Sequence, residues 1–165
     1  MSPDQIDHRF DSRDFKTAMG RFLTGVTVVS CLDKTGKPCG LTVNSFASVS
    51  LEPPLVLWSL IKGSSLHEAF LEADSYAIAI LAAEQKDICY RFASDADDRF
   101  DTISWRKGTM GLPIINDCLS VLECKDYAQY DGGDHIIFVG EVMAIHNHAE
   151  QLKPLSYFSG KVNEI

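Results

Sequence analysis

The 165-residue sequence is poor in basic residues, with 15 Lys and Arg against 23 Asp and Glu and a net charge of −8. A nucleic-acid backbone needs a basic binding face, so this balance excludes nucleic acid as a partner. The sequence also lacks an apolar run of membrane-spanning length, and its first residues are acidic instead of basic and then apolar. We therefore expect a soluble, cytoplasmic protein with no membrane partner.

The cysteines are widely spaced along the chain. The five cysteines are odd in number and include no C-x-x-C pair, which argues against a disulfide framework and against a zinc site. Cys31 lies in an apolar run, where cysteine behaves as a small buried hydrophobe. A catalytic thiol is the alternative, but no local cysteine motif supports it. No metal site is predicted, although His146 and His148 could form an i, i+2 metal pair on a strand.

Several catalytic motifs are missing as well. The sequence has no P-loop, no G-x-G-x-x-G fingerprint, no G-x-S-x-G elbow, no H-E-x-x-H helix and no persuasive acid–base pair of carboxylates. An enzyme without an obvious nucleophile or metal site often relies on an organic cofactor for the difficult step. The missing motifs therefore favour cofactor chemistry if the protein is an enzyme.

The length and an apolar fraction of 45% predict a single domain over residues 1–165, with residues 1–12 as a mobile N-terminal arm. A helical pattern follows Asp11, and Gly25 is expected to stop it. A second helix is predicted over 64–73, where Ser65 and Glu68 have the spacing of a capping box, and a third over 82–93.

Six runs have the composition or the alternation of β-strands. They are residues 26–32, 38–46, 54–61, 76–81, 118–130 and 135–146. The DKTGK turn at 33–37 and the DGGD turn at 131–134 predict two β-hairpins. Short helices between mostly antiparallel strands predict an α+β, mainly β fold with a barrel and not a βαβ sheet.

The stretch GLTVNSFASVSLEPP (40–54) is unusually polar for a barrel strand. Alternation places Thr42 and Asn44 on one face, and Ser48 and Ser50 lie two apart on the same side. Such small donors could line a planar ring or a phosphate. An edge strand that becomes a polar loop before the two prolines explains the pattern equally well.

Three further features could bind a ligand. Ser64 and Ser65 precede a predicted helix, whose N-terminus attracts phosphate, although simple capping is the alternative. Arg91 and Arg99 each precede a phenylalanine and could clamp a phosphate or remain solvated at the surface. His135 follows a tight turn at the mouth of a strand, where its ring could point into a cleft or lie on the surface.

Three segments together resemble one family. FKTAMGRFLTGVTVVS (15–30), GLTVNSFASVSLEPPLVLWSL (40–60) and GDHIIFVGEV (133–142) are similar to the flavin reductase-like family, whose members supply reduced flavin to two-component monooxygenases. The resemblance covers nearly the whole chain in order. It implies a split β-barrel with short flanking helices that binds FMN or FAD, usually as a homodimer with each flavin near the subunit interface.

The resemblance also implies roles for individual residues. His135, the implied catalytic residue, would face the nicotinamide and help to place NADH or NADPH over the flavin ring. Ser64, Ser65 and the two arginines would lie near the flavin phosphate. The implied cofactor-binding residues are Thr42, Val43, Asn44, Ser48, Val49, Ser50, Ser64, Ser65, Arg91, Phe92, Arg99 and Tyr157.

The implied function is that of an NAD(P)H:flavin oxidoreductase, which transfers hydride from a reduced nicotinamide to FMN or FAD and supplies reduced flavin to a partner monooxygenase. The alternative is a flavin-holding, flavoredoxin-like electron carrier with permanently bound FMN. A third hypothesis is a related split-barrel protein that binds haem or a small ligand without turnover. Because the acidic chain has no Rossmann fingerprint and no evident basic patch for a 2′-phosphate, the sequence favours NADH slightly over NADPH.

Overall fold

A computed structural model describes residues 9–164 of the chain. The helices are α1 (Ser12–Gly20), α2 (His67–Glu72) and α3 (Lys86–Ala93), and a 3₁₀ turn at Ala83–Gln85 leads into α3. The strands are β1 (Thr24–Gly25), β2 (Thr27–Leu32), β3 (Pro38–Val43), β4 (Ala47–Leu51), β5 (Pro54–Ile61), β6 (Ser75–Ile80), β7 (Trp105–Lys107), β8 (Pro113–Ile115), β9 (Ser120–Gly132), β10 (His135–Asn147), β11 (Leu155–Phe158) and β12 (Lys161–Glu164).

Seven strands form one antiparallel sheet in the order β3-β2-β6-β9-β10-β5-β4. A second sheet contains β1, β11 and β12, and β7 pairs with β8. This mainly β architecture with short helices confirms the predicted fold class. Across residues 9–164 no hydrogen-bonded pairing joins β3 to β4, so the large sheet stays open between these two edges and is not a fully bonded barrel.

Both predicted hairpins are confirmed. Between β2 and β3, Asp33 Oδ1 accepts hydrogen bonds from the backbone N–H groups of Thr35 at 2.8 Å and Lys37 at 3.0 Å. Between β9 and β10, Gly133 has a φ of 78°, which glycine adopts without the steric cost that other residues meet. Local turn chemistry therefore sets the register of both hairpins.

Trp58 of β5 lies at the centre of an aromatic core. Its ring stacks on Phe138 of β10 with centroids 4.6 Å apart, and Phe70 of α2 and Tyr76 of β6 meet it edge-on at 5.0 and 5.6 Å. All four side chains are fully buried. Aromatic pairs of this kind contribute about 0.5–1.5 kcal/mol beyond their burial. The cluster holds α2 against the sheet and so fixes the turn that precedes α2.

The predicted stop of the first helix at Gly25 is wrong. Helix α1 ends at Gly20, and the Arg21 N–H closes its last turn on the carbonyl of Ala18 at 3.2 Å. Gly25 instead pairs with Ser156 of β11, from the far end of the chain. A glycine placed after a helical pattern therefore belongs here to a strand whose partner is distant in sequence.

The predicted capping box of Ser65 and Glu68 is also wrong. Helix α2 begins at His67, and its N-cap Leu66 makes no side-chain capping bond. Ser64 Oγ accepts from the Leu66 N–H at 3.2 Å, so the neighbouring serine orders this turn. The strand expected over 38–46 likewise ends earlier, at residue 43, before the chain crosses to β4.

The single-domain assignment and the mobile arm over residues 1–12 stay predictions. Residues 1–8 and 165 lie outside the described residues. Asp11, within the predicted arm, caps α1 by accepting from the N–H groups of Arg13 and Asp14, each at 2.8 Å. Among the helices between residues 9 and 164, none has both the length and the apolar character that a membrane span requires.

Candidate functional site

The C-terminal end of β3 lines a mainly apolar cleft of about 230 Å³. Thr42, Val43 and Asn44 line it together with Tyr157 of β11. Thr42 Oγ1 donates to the Cys89 carbonyl at 2.7 Å, which fixes the end of β3 against α3. The remaining lining residues are Val26, Cys89, Tyr90, Ala93 and Val162. The structure thus brings four of the predicted cofactor-binding residues together.

The predicted residues Ser48, Val49 and Ser50 lie on β4, an edge strand of the large sheet. Ser48 is opposite Val56 and Ser50 is opposite Leu55, so Val49 is the extra residue of a β-bulge. An edge strand leaves main-chain N–H and C=O groups on its free side without ladder partners. Small hydroxyl side chains and main-chain donors therefore lie along an accessible edge.

A serine that the site prediction omitted anchors the connection from β3 to β4. Ser45 Oγ accepts from the Ser59 N–H of β5 at 2.9 Å. This bond ties residues 44–46 to the sheet in a segment that belongs to neither strand. Within the polar stretch 40–54, Thr42 and Ser45 thus make structural hydrogen bonds, whereas Asn44 and Ser48 are exposed.

Ser65 and Arg99 line a second cavity, of about 160 Å³. Lys37 lines it as well, and its Nζ donates to the Asp97 carbonyl at 3.3 Å. Ser65 is exposed, whereas its neighbour Ser64 is half-buried. A cavity lined by a small hydroxyl and two cations is suited to an anion, although Asp33 and Asp97 also line it.

Both predicted phosphate-binding arginines donate to main-chain carbonyls. Arg99 is 8% exposed and donates to the Gly40 carbonyl at 2.9 Å and, from Nε, to the Ser94 carbonyl at 3.0 Å. Arg91 donates to the carbonyls of Arg99 at 2.8 Å and Asp98 at 2.6 Å. These bonds hold the 94–99 loop against β3, and a direct phosphate role for either arginine stays a prediction.

Phe92 lies in the hydrophobic core. It is 1% exposed and meets Phe100 edge-on, with ring centroids 4.9 Å apart. Phe100 in turn meets Trp105 at 5.6 Å. Phe92 therefore supports the position of α3, and its predicted contact with a cofactor is not tested by these contacts.

His135 opens β10 and lies opposite Ile61 of β5. Its Nδ1 is 2.7 Å from Asp134 Oδ1, and its side chain is 39% exposed. The hydrogen bond from His135 lowers the pKa of Asp134. His135 lines neither the Thr42 cleft nor the Ser65 cavity. Within one chain, the predicted catalytic residue is therefore separate from both sets of predicted cofactor-binding residues.

Sequence reasoning missed Glu123, a fully buried carboxylate on β9. His146 Nε2 lies 2.6 Å from Glu123 Oε1, and the N–H groups of Thr109 and Met110 donate to the carboxylate at 2.6 and 2.8 Å. A Cβ on Gly108 would lie 2.5 Å from this carboxylate, so any other residue there would displace the carboxylate. Burial raises the pKa of Glu123, but these hydrogen bonds outweigh burial and lower it.

The two histidines considered for a metal pair have other contacts. His146 pairs with Glu123, and His148 Nδ1 accepts from the Glu150 N–H at 3.1 Å. Within residues 9–164, no group of three or more His, Cys, Asp or Glu side chains is arranged to hold a metal ion.

Tyr90 is a third residue that the site prediction omitted. It lines the Thr42 cleft from α3 together with Cys89 and Ala93. The i, i+4 spacing of Cys89 and Ala93 indicates a shared helix face. The contact of this helix face with β3 is a tertiary contact. The helical pattern alone could therefore identify the face of α3 but not the cleft that it lines.

The chain matches the family described as the flavin reductase like domain over residues 19–165, and it belongs to that family. The matched residues include the Thr42 cleft, the β4 edge and the Ser65 cavity. They also include the two histidine–carboxylate pairs, His135–Asp134 and His146–Glu123. The resemblance inferred from the three sequence segments is therefore confirmed.

Relatives with named activities are similar over most of this chain. It is 48% identical over 143 residues to the FMN reductase (NADH) SmoA of Agrobacterium fabrum, covering 86% of this chain and 81% of that protein. It is 45% identical over 130 residues to the reductase component of the flavin-dependent trigonelline monooxygenase of Acinetobacter baylyi, covering 79% of this chain and 42% of that protein. The chain thus spans less than half of that second relative.

A solved structure shares the fold. The NADH:FAD oxidoreductase SgcE6 of Streptomyces globisporus C-1027, in complex with NAD and FAD fragments, aligns with a TM-score of 0.88 at 35% identity. The alignment covers 94% of this chain and 93% of that one. This chain therefore has the same fold as that NADH:FAD oxidoreductase.

Proposed function

We propose that this chain is an NAD(P)H-dependent flavin reductase that transfers hydride from a reduced nicotinamide, with NADH preferred, to FMN or FAD and supplies the reduced flavin to a partner monooxygenase. The observation that carries the proposal is the family match over residues 19–165. Relatives named as an NADH-dependent FMN reductase, a monooxygenase reductase component and an NADH:FAD oxidoreductase support it. Since reduced nicotinamide is a cytoplasmic reductant, we place the protein in the cytoplasm.

The residues of β3 and β4 fit a flavin. A flavin ring has apolar faces and polar edges; Val43 and Tyr157 offer apolar surface in the cleft, while Asn44 and the bulged β4 edge offer polar groups. Large side chains would block such a ring, and a wholly apolar wall would leave its heteroatoms unpaired. When bound, the flavin supplies the ring that accepts hydride from the nicotinamide.

We place the flavin phosphate beside Ser64 and Ser65. Two cations, Lys37 and Arg99, line the same cavity as Ser65. Because the Arg99 guanidinium already donates to Gly40 and Ser94, its role in this proposal is to hold the cavity wall and contribute charge. Arg91 and Phe92 hold the same wall from α3.

His135 is proposed to position the nicotinamide. Its Nδ1 faces the Asp134 carboxylate at 2.7 Å, so the neutral ring carries its proton on Nδ1 and leaves Nε2 as an acceptor. A nicotinamide carboxamide has an NH₂ group that can donate to such a nitrogen. The His135 side chain is 39% exposed, so we propose that a bound dinucleotide reaches this nitrogen.

The Thr42 cleft of one chain is small for a flavin. Its volume of about 230 Å³ is smaller than the roughly 300–1,000 Å³ of pockets that enclose small ligands. One chain therefore covers only part of a flavin.

We further propose a homodimer in which a second copy completes the site. Near the Pro54 end of β5, the side chains of Leu51, Met143 and Ile145 are 90, 55 and 59% exposed. Exposed apolar side chains in one region are typical of an interaction surface.

Light scattering after size-exclusion chromatography tests the homodimer. We expect the mass of two chains for the wild type and of one chain for Leu51→Glu. Leu71→Glu on α2 is the matched control; a monomeric wild type would contradict the proposal.

The reductase activity is tested by following the loss of reduced-nicotinamide absorbance in air while FMN or FAD is added in a concentration series. We expect almost no rate without added flavin and a hyperbolic rise with it, faster with NADH than with NADPH. A rate that ignores added flavin in a purified yellow protein would instead support the bound-flavin electron carrier. No oxidation with any flavin or nicotinamide would overturn the reductase assignment.

The phosphate position is tested by replacing Ser64 and Ser65 together with leucine. Charge-assisted hydrogen bonds contribute about 1.5–3 kcal/mol, so FMN affinity should fall by roughly tenfold or more. Riboflavin, which has the same ring and no phosphate, should bind almost as before. An equal loss for both flavins, measured by fluorescence titration, would show that the phosphate lies elsewhere.

A further inference from the structure

Two cysteines face each other across the β2–β3 hairpin. Cys31 and Cys39 are directly opposite in register, and their sulfur atoms are 3.4 Å apart as free thiols. Directly opposite residues of antiparallel strands have Cα atoms about 4.5–5.5 Å apart. Disulfide-bonded cysteines have Cα atoms about 4.4–6.8 Å apart, so the two backbones already stand at a suitable separation.

The two thiols differ in access and in proton affinity. Cys31 is fully buried, whereas Cys39 is half-buried and lines both the Ser65 cavity and an adjoining one. The hydrogen bond with Cys31 lowers the pKa of Cys39 against the opposing effects of burial and of the Asp33 charge, and the Arg99 charge adds a smaller lowering. The same hydrogen bond, together with burial, raises the pKa of Cys31. Cys39 is therefore both the sulfur that solutes can reach and the readier thiolate.

We propose that Cys31 and Cys39 form a reversible disulfide within the chain, with hydrogen peroxide as the oxidant and Cys39 as the sulfur that reacts first. The site is distinct from the Thr42 cleft and the β4 edge. It forms one wall of the cavity that contains Ser65, on the strand that leads to Thr42.

The reaction proceeds in two balanced steps. The Cys39 thiolate attacks one peroxide oxygen, the O–O bond breaks, and hydroxide leaves, giving a sulfenic acid on Cys39. The Cys31 sulfur then attacks the Cys39 sulfur, the S–O bond breaks, and the hydroxyl group leaves as water with the proton of Cys31. The two sulfurs lose two electrons in total, and the peroxide is reduced to water.

The source of the oxidant rests on the proposed function. Reduced flavin that no monooxygenase consumes reacts with dioxygen and yields hydrogen peroxide. A reductase that works faster than its partner thus produces the oxidant that reaches Cys39, and disulfide formation would report this imbalance on the reductase itself.

The first experiment needs neither flavin nor nicotinamide. The purified, reduced full chain is treated with increasing hydrogen peroxide, quenched, unfolded and assayed for free thiols, and its peptides are identified by mass spectrometry. We expect two of the five thiols to be lost, a bond between Cys31 and Cys39, and full recovery with dithiothreitol. Five surviving thiols at excess peroxide, a bond between other cysteines or a bond between chains would overturn the proposal.

Three variants provide the controls. Cys39→Ser should keep its four remaining thiols under the same treatment, and Cys31→Ser should leave a sulfenic acid on Cys39 that dimedone traps. Cys118→Ser, at another buried cysteine, should still lose two thiols. Since the wild-type thiol count decides the main question, a variant that folds poorly does not remove the test.

A second arm tests the source of the oxidant. During turnover with NADH and FMN in air, without a monooxygenase, the disulfide should accumulate, and catalase should prevent it. If added peroxide forms the disulfide but turnover does not, the cysteine pair stands and reduced flavin is excluded as its source of peroxide. Failure of the reductase assay alone leaves the result with added peroxide unaffected.

Discussion

Strand β10 carries a histidine–carboxylate pair near each end, and the two pairs differ in surroundings more than in geometry. His135 lies 2.7 Å from Asp134, and His146 lies 2.6 Å from Glu123. The Asp134 side chain is 83% exposed, whereas that of Glu123 is 0% exposed. Water screens the first pair, so it contributes little to folding and its histidine can engage a ligand. The second pair has no such freedom, because an unpaired buried charge is costly.

The buried pair also connects parts of the chain that are distant in sequence. Glu123 on β9 accepts from the main chain at Thr109 and Met110 and from the His146 ring. The carboxylate therefore joins the loop between β7 and β8 to two long strands. This contrast between a structural pair and an accessible pair can be tested at four points.

The largest effect is expected for Glu123→Ala. The change leaves His146 and two main-chain N–H groups without their acceptor, and breaking a buried pair costs about 3–5 kcal/mol. Urea unfolding should show a loss of about 3 kcal/mol, the lower figure because His146 is partly exposed. Glu84→Ala, at an exposed glutamate, is the control and should change stability by less than about 0.5 kcal/mol. Equal free energies of unfolding for the two variants would show that the Glu123–His146 pair does not stabilise the fold more than an exposed glutamate does.

The second effect is a pH dependence. The folded-state pKa values of Glu123 and Asp134 are both lower than their ordinary values of 4.5 and 3.8. A carboxylate of this kind stabilises the fold above its unfolded pKa and loses that contribution as the pH falls through its folded pKa. The difference in unfolding free energy between the wild type and Glu123→Gln should therefore shrink as the pH falls below 4.5. A difference that is constant from neutral to acidic pH would contradict the role of the Glu123 charge.

The third effect concerns activity and not stability. His135→Ala should raise the KM for NADH by about fivefold, as expected for one hydrogen bond of about 1 kcal/mol, with flavin affinity nearly unchanged. Steady-state kinetics and a flavin titration separate the two quantities. His148→Ala, at a half-buried histidine just beyond the other end of β10, is the matched control. Equal losses in nicotinamide use and flavin binding would remove His135 from its proposed role.

The smallest effect is expected for Asp134→Asn. Asp134 is exposed, so its loss should change the free energy of unfolding by less than about 0.5 kcal/mol. The asparagine no longer stabilises the Nδ1–H form of His135 as a carboxylate does, so a modest rise in the KM for NADH is expected without loss of stability. A destabilisation comparable to that of Glu123→Ala would mean that exposure does not distinguish the two pairs.

Local chemistry was sufficient to predict the hairpins. Asp33 and Gly133 act within a few residues of their own positions, so the sequence around them contains the information that the turns require. The predicted strands of the large sheet follow from the same local patterns. The class of fold was therefore accessible from the sequence before any tertiary contact was known.

Tertiary contacts explain what was missed. Gly25 belongs to a strand because residue 156 pairs with it, and the C-terminal strands β11 and β12 were not predicted. Arg99 bonds to Gly40, 59 residues earlier, and no periodic pattern connects the two positions. Glu123 did leave a signal, a carboxylate within the apolar run VLEC, but its partners are distant and only the fold shows them.

The candidate site was predicted in pieces. Thr42, Val43, Asn44 and Tyr157 were named through the family resemblance, and they line one cleft. Their convergence depends on β11 reaching β1 and on α3 packing against β3, neither of which is encoded near these residues. Residue types can thus suggest what is bound, while long-range packing decides where.

The unequal edges of the large sheet have a consequence for aggregation. Along β3, the Arg99 guanidinium donates to the Gly40 carbonyl and α3 packs against the strand. Few main-chain groups of β3 are therefore free to pair with another strand. Strand β4 has no such cover from residues 9–164 on its outer side, and Leu51 on it is 90% exposed. Free apolar edge strands are where chains add to one another and begin fibrils. A single chain is therefore most vulnerable at β4, and Leu51→Lys is the first change to make when a soluble single chain is wanted.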